Sequence, residues 1–167
     1  MAVEDHRRTS PHRVRCAVLT ISDTRTRDTD TGGNAIAAML QEEGHEVLSR
    51  GLVRDDTEDI RSALDGLLAQ EAVQVVIATG GTGISRRDST FEVVDALLEK
   101  RLDGFGELFR MLSYTEIGPA AMLSRACAGT ARGRVLVALP GSEAAVRLAL
   151  RKLLLPELGH LVREVTR

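Results

Sequence analysis

Val73-Gln74-Val75-Val76-Ile77-Ala78-Thr79-Gly80-Gly81-Thr82-Gly83, continued by Ile84-Ser85-Arg86-Arg87-Asp88-Ser89, is the stretch that decides the fold of this chain. Residues 73–78 are its most apolar strand-like run, and a glycine-rich bend ends them. A helix is expected from near Ser89, where Ser89 and Glu92 make a capping-box pattern ahead of Phe91, Val94, Leu97 and Leu98. Glycines in such a bend reach backbone angles closed to other residues and bring N–H groups close to an anion.

The same alternation recurs on both sides of this unit. Residues 14–21 read as a buried strand ending in Ser22-Asp23, and 31–43 as a helix with Ile36, Met39 and Leu40 on one face and Gly44 as its stop. Residues 47–53 form the next strand. Asp56 then suits a helix N-cap before Ile60, Leu64, Leu67 and Leu68. Residues 105–112 look helical, whereas 114–124 contain Gly118-Pro119 and have no regular pattern. Residues 135–139 form a last strand, Pro140-Gly141 turn, and a long helix starts at Ser142 and should kink at Pro156. Strands alternating with long helices indicate an α/β sandwich with a mainly parallel sheet, whose ligand belongs at the carboxyl ends of the strands. The polar segment 1–13 is expected to be disordered, and 14–167 to form a single domain.

Composition removes several functions. A net charge of −2, with three Phe, one Tyr and no Trp, argues against nucleic-acid binding. Of 22 basic residues all but Lys100 and Lys152 are arginine, so a Schiff-base lysine lacks a good candidate. Cys16, Cys127 and the four histidines show no ligand spacing, and no apolar run approaches a membrane span. A reducing, cytoplasmic location is the expectation.

The glycine bend is neither of two familiar phosphate loops. A Walker loop requires Gly-Lys-Ser/Thr, and a dinucleotide fingerprint from Gly81 requires glycine where Arg86 stands. It can still serve either as a plain turn or as a phosphate cradle made by Thr79, Gly80, Gly81, Thr82 and Gly83. Asp88 and Asp55 both follow strand ends, and two carboxylates on one sheet edge suit Mg²⁺ against phosphate oxygens. Ser22 and Asp23 end the first strand in the same way. Pro140, Gly141 and Ser142 open the last helix and offer N–H groups to a second anion. At most one of Arg86 and Arg87 is expected to touch phosphate.

At these positions the chain resembles the molybdopterin adenylyltransferase family of molybdenum cofactor biosynthesis. Residues 79–83 with Arg87-Asp88, the Pro140-Gly141 turn and Leu123-Ser124-Arg125 carry the likeness. The run 104–113 with Glu116-Ile117-Gly118 is most similar to the bacterial molybdenum cofactor biosynthesis protein B branch. The resemblance implies a three-layer α/β/α sandwich, a homo-oligomer (trimer or hexamer), and transfer of AMP from Mg-ATP to molybdopterin with release of pyrophosphate. It matches the family's two functional aspartates to Asp55 and Asp88, as catalytic and metal-holding residues. Many relatives have proline where Arg54 stands, which keeps Asp56 as an alternative to Asp55. Other proteins of the same pathway are possible partners. Two further readings remain: a non-catalytic molybdopterin-binding or assembly protein, and an unrelated phosphate-ester or nucleotide enzyme on the same architecture.

Overall fold

The computed structural model describes residues 2–167. Six strands form one sheet: β1 (Arg15–Ile21), β2 (Glu46–Val53), β3 (Val75–Thr79), β4 (Lys100–Arg101), β5 (Cys127–Ala131) and β6 (Arg134–Leu139). Their spatial order is β2-β1-β3-β6-β5-β4. The first four in that order are mutually parallel, and β5 and β4 add an antiparallel edge.

Both faces of the sheet are covered. Val75, Ile77, Val135 and Val137 point into one core with helices α2 (Thr31–Glu42), α5 (Asp103–Ile117), α6 (Glu143–Ala149) and α7 (Leu155–Thr166). The alternate residues Val76, Ala78, Leu136 and Ala138 face a second core with α3 (Thr57–Leu68) and α4 (Thr90–Leu97). Burial on both faces is why the central strands read as apolar runs instead of alternating patterns. The result is the three-layer α/β/α sandwich with a mainly parallel sheet.

Local chemistry sets the ends of these elements. The Asp30 carboxylate accepts from Gly33 N at 2.9 Å and caps α2, and Asp56 Oδ1 accepts from Glu58 N and Asp59 N to cap α3. Pro156 lacks the N–H that would continue an α-helix, and a π-helical stretch, Leu150–Leu154, joins α6 to α7 there.

Three sequence expectations need correction. Met1 lies outside the described residues, but Ala2–Arg8, expected to be disordered, form helix α1. This segment has no apolar stripe of its own and is held by α7: Arg7 pairs with Glu157, and Arg163 Nη1 donates to the His6 carbonyl at 3.1 Å. The irregular middle region is mostly helical, with α5 running to Ile117 and a 3₁₀ turn, Gly118–Leu123, after it. Strands β4 and β5 were not expected, because Lys-Arg and Cys-Ala-Gly-Thr-Ala carry little strand signal. No helix among the described residues is long and apolar enough to cross a membrane.

Candidate functional site

The carboxyl ends of β1, β2, β3 and β6 open on a cleft of about 640 Å³. Ser22, Asp23, Asp55, Gly80, Gly81, Thr82, Gly83, Asp88, Pro140, Gly141 and Ser142 all line it. Thr79 does not. It is buried, and its hydroxyl donates to the Pro140 carbonyl at 2.9 Å, so it ties the two loops together beneath the cleft.

The glycine bend is built by close approach. Gly80 and Gly81 have φ of +97° and +67°. A Cβ on Gly80 would stand 2.2 Å from the Ile21 carbonyl oxygen, and one on Gly81 would stand 2.3 Å from Thr90 Oγ1 and 2.8 Å from Asp55 Oδ2. No side chain fits at either position. Gly80 N donates to Leu139 O at 2.9 Å, which removes it from the phosphate cradle. The N–H groups of Gly81, Thr82 and Gly83 have no hydrogen-bond partner among the described residues and are the part of the bend available to an anion.

Arg125 fixes the outer side of that bend. Its Nε donates to the Thr82 carbonyl at 3.1 Å and its Nη2 to the Gly83 carbonyl, while Nη1 pairs with Glu92. The guanidinium lies 5.0 Å from the Phe91 ring centroid. With its carbonyls turned to Arg125, the bend keeps its amides for the cleft. Burial and spacing arguments miss Arg125, and the sequence signal for it was the Leu123-Ser124-Arg125 match alone.

The two candidate metal-holding aspartates have different partners. Asp55 is buried, and its Oδ1 accepts from Ser89 N at 3.1 Å and Ser89 Oγ at 2.9 Å. Ser89 does sit at the N-cap of α4, but its side chain makes no capping bond, and Glu92 is taken by Arg125. The expected capping box is therefore absent. The Ser89 hydroxyl donates to the Asp55 carboxylate, and a carboxylate there also suits the N-terminal end of α4. Asp88 Oδ2 accepts from Ser85 N at 3.0 Å and closes the turn that precedes the helix. Asp55 Oδ2 and Asp88 Oδ1 are left without hydrogen-bond partners among the described residues. Two carboxylate oxygens, with no imidazole or thiolate lining the cleft, are a donor set that suits a hard ion such as Mg²⁺.

Asp23 is occupied differently. It forms a salt bridge with Arg87 at 2.8 Å, and its Oδ1 also accepts from Asp55 N at 3.1 Å. The hydrogen bonds from Arg87, then that from Asp55 N, hold its carboxyl below the usual carboxylate range. Arg87, one of the two arginines considered for phosphate, is thereby tied at the rim. Ser22 Oγ accepts from Thr24 N and Arg25 N, and Ser142 Oγ accepts from Ala145 N as the cap of α6. Phe109, Ser113 and Ile117 of α5 also line the cleft, beside Leu123 of the Leu123-Ser124-Arg125 match.

Comparison with known proteins agrees with this architecture. A family profile described as "Probable molybdopterin binding domain" matches residues 17–160. The molybdenum cofactor biosynthesis protein B of Bacillus cereus is 52% identical over 168 residues, covering 100% of this chain and 99% of the relative. A crystal structure of a molybdenum cofactor biosynthesis protein B superposes with a TM-score of 0.90 at 52% identity, covering 94% of this chain and 98% of that one. The tungsten cofactor synthesizing protein MoaB from Pyrococcus furiosus follows at 0.85 and 36% identity, with coverages of 95% and 100%.

Proposed function

Given that the chain belongs to the molybdopterin-binding family of molybdenum cofactor biosynthesis proteins, we propose that it transfers AMP from Mg-ATP to the terminal phosphate of molybdopterin, releasing pyrophosphate. The observation that carries this reading is the meeting, in one cleft, of the unpartnered amides of Gly81, Thr82 and Gly83 with the Asp55 and Asp88 carboxylates.

In this reading the glycine-bend amides hold phosphate oxygens of the nucleotide, and the Gly141 and Ser142 end of α6 holds the second ligand. Attack of one phosphate on another demands alignment and charge neutralisation more than a covalent nucleophile. A terminal phosphate is largely ionised at neutral pH, so no strong general base is required. Asp55 and Asp88 would hold Mg²⁺, which when bound neutralises phosphate charge. Ser89 keeps Asp55 oriented, and Asp23 with Arg87 braces the strand ends behind it.

The reading extends to assembly as a trimer or hexamer. Leu108, Met111, Tyr114 and Ile117 of α5 are exposed, together with Met122 and Leu123 of the following turn. Ile117 and Leu123 also line the cleft, so a neighbouring copy seated on this face would wall it. We place the protein in the cytoplasm, where Cys16 and Cys127 would remain free thiols, as they are in the structure.

The test combines purified protein, Mg-ATP and molybdopterin and follows pyrophosphate together with adenylylated product. Turnover supports the assignment. Molybdopterin binding without turnover would replace it with a non-catalytic binding or assembly role.

A further inference from the structure

We propose that His6, His160 and Glu164 form a binding site for one divalent transition-metal ion of the Zn²⁺ type, which clamps helix α1 onto α7. None of the three lines the cleft, and the adenylylation chemistry uses none of them.

The groups converge without bonding one another. His6 Nδ1 lies 3.7 Å and His160 Nε2 lies 3.9 Å from Glu164 Oε1, both too long for a hydrogen bond. One ligand atom from each residue falls within 4.8 Å of the other two. An ion bound at about 2.0–2.2 Å from nitrogen and oxygen ligands draws such atoms to roughly 3.3–4 Å of one another. Small rotations of half-exposed side chains complete that approach. The two imidazoles meet edge to face, with centroids 5.7 Å apart and planes at 67°, so they are not stacked in a way that would block convergence.

A second observation concerns the state of His160. Its Nδ1 stands 2.9 Å from Glu157 Oε2, and since a carboxylate oxygen accepts, the tautomer that donates from Nδ1 turns its Nε2 lone pair to the side of Glu164. Metal-bound imidazoles are oriented in the same way, by a carboxylate on the far nitrogen. Glu157, His160 and Glu164 recur at helical spacing along one face of α7, and α1 brings His6 to that face. Arg163 Nη1 on the His6 carbonyl and Arg7 on Glu157 hold α1 there. Glu164 has one competing partner, Arg167 Nη1 at 3.4 Å, which is exposed and at the chain end. Two neutral imidazoles and one carboxylate select borderline ions such as Zn²⁺, Co²⁺ or Ni²⁺ over Mg²⁺ or Ca²⁺, and a water would complete four-coordination.

Untagged full-length protein, stripped of metal, would be titrated with Co²⁺ by visible absorption and with Zn²⁺ in competition with a chromogenic chelator. The expected result is one ion per chain, weakened at least about tenfold in His6→Ala and in Glu164→Gln. Glu164→Gln changes an exposed side chain at constant shape, so circular dichroism should show an unaltered fold. Zn²⁺ should raise the melting temperature of the wild type and leave that of Glu164→Gln unmoved. Absence of stoichiometric binding by the wild type would overturn the proposal, as would binding in either variant as tight as in the wild type.

Discussion

Replacing Gly81 by alanine tests whether the glycine bend is as closely packed as its geometry says. The residue has φ of +67°, a left-handed conformation that costs an L side chain about 1–2 kcal/mol. The new Cβ would also stand 2.3 Å from Oγ1 of the fully buried Thr90 and 2.8 Å from Asp55 Oδ2. Thr90 is fully buried, and forcing it off its rotamer adds about 0.5–1.5 kcal/mol. Together these predict a loss of roughly 2–3 kcal/mol, or roughly 5–10 °C in Tm for a chain of this size. Because Asp55 must shift as well, AMP transfer should fall further than stability does. Urea unfolding and product formation would be measured side by side. Gly66→Ala, inside α3 with nothing within 4 Å of its Cβ, should instead stabilise by about 1 kcal/mol. An unfolding midpoint for Gly81→Ala equal to that of the wild type would mean that the bend is not closely packed.

Ser89→Ala removes the hydroxyl that donates to Asp55 at 2.9 Å and should lower AMP transfer at least about tenfold, a loss of about 1.4 kcal/mol that sits at the lower edge of what a hydrogen bond to a charged group contributes, while Ser89→Thr retains activity. His45 Nδ1 accepts from Val14 N at 3.1 Å, and burial depresses its pKa. The neutral ring therefore stabilises the fold above the ordinary histidine range, and that contribution is lost as pH falls through the lowered pKa. His45→Gln keeps an acceptor without a charge, so its urea midpoint should fall less between pH 7 and 5 than that of the wild type. Burial pushes the Cys16 thiol up to about 12 and the Cys127 thiol up to about 11. Neither should react with a thiol-specific chromogenic disulfide in the native protein at mildly alkaline pH, and both should react in denaturant.

The parallel half of the sheet was legible because both its faces are buried. β1 and β3 declare themselves as apolar runs, and the Asp56 cap and Pro156 mark helix boundaries through side-chain chemistry that acts within a few residues. The antiparallel edge was not legible. β5 and β6 are joined through Arg132 and Gly133, whose φ of +50° and +74° make a tight hairpin turn, but arginine at the first position conceals it where Asn or Asp would announce it. Helix α1 depends on partners 150 and 157 residues away in sequence, which no local pattern encodes. At the cleft, strand ends and glycines brought attention to the right loops. Whether a given polar group is free or engaged was beyond local reading: Gly80 N is spent on Leu139, Ser89 on Asp55, and Asp23 on Arg87.

In the proposed function Asp55 and Asp88, beside the glycine bend, support nucleotidyl transfer to molybdopterin. Single-turnover transfer of labelled AMP from Mg-ATP to molybdopterin tests it most directly, with the wild type compared against Asp88→Asn. The wild type should form adenylylated molybdopterin and Asp88→Asn should lose at least about 10²-fold, with unchanged melting temperature and assembly mass. Equal transfer by the two proteins, or none by the wild type, would contradict it.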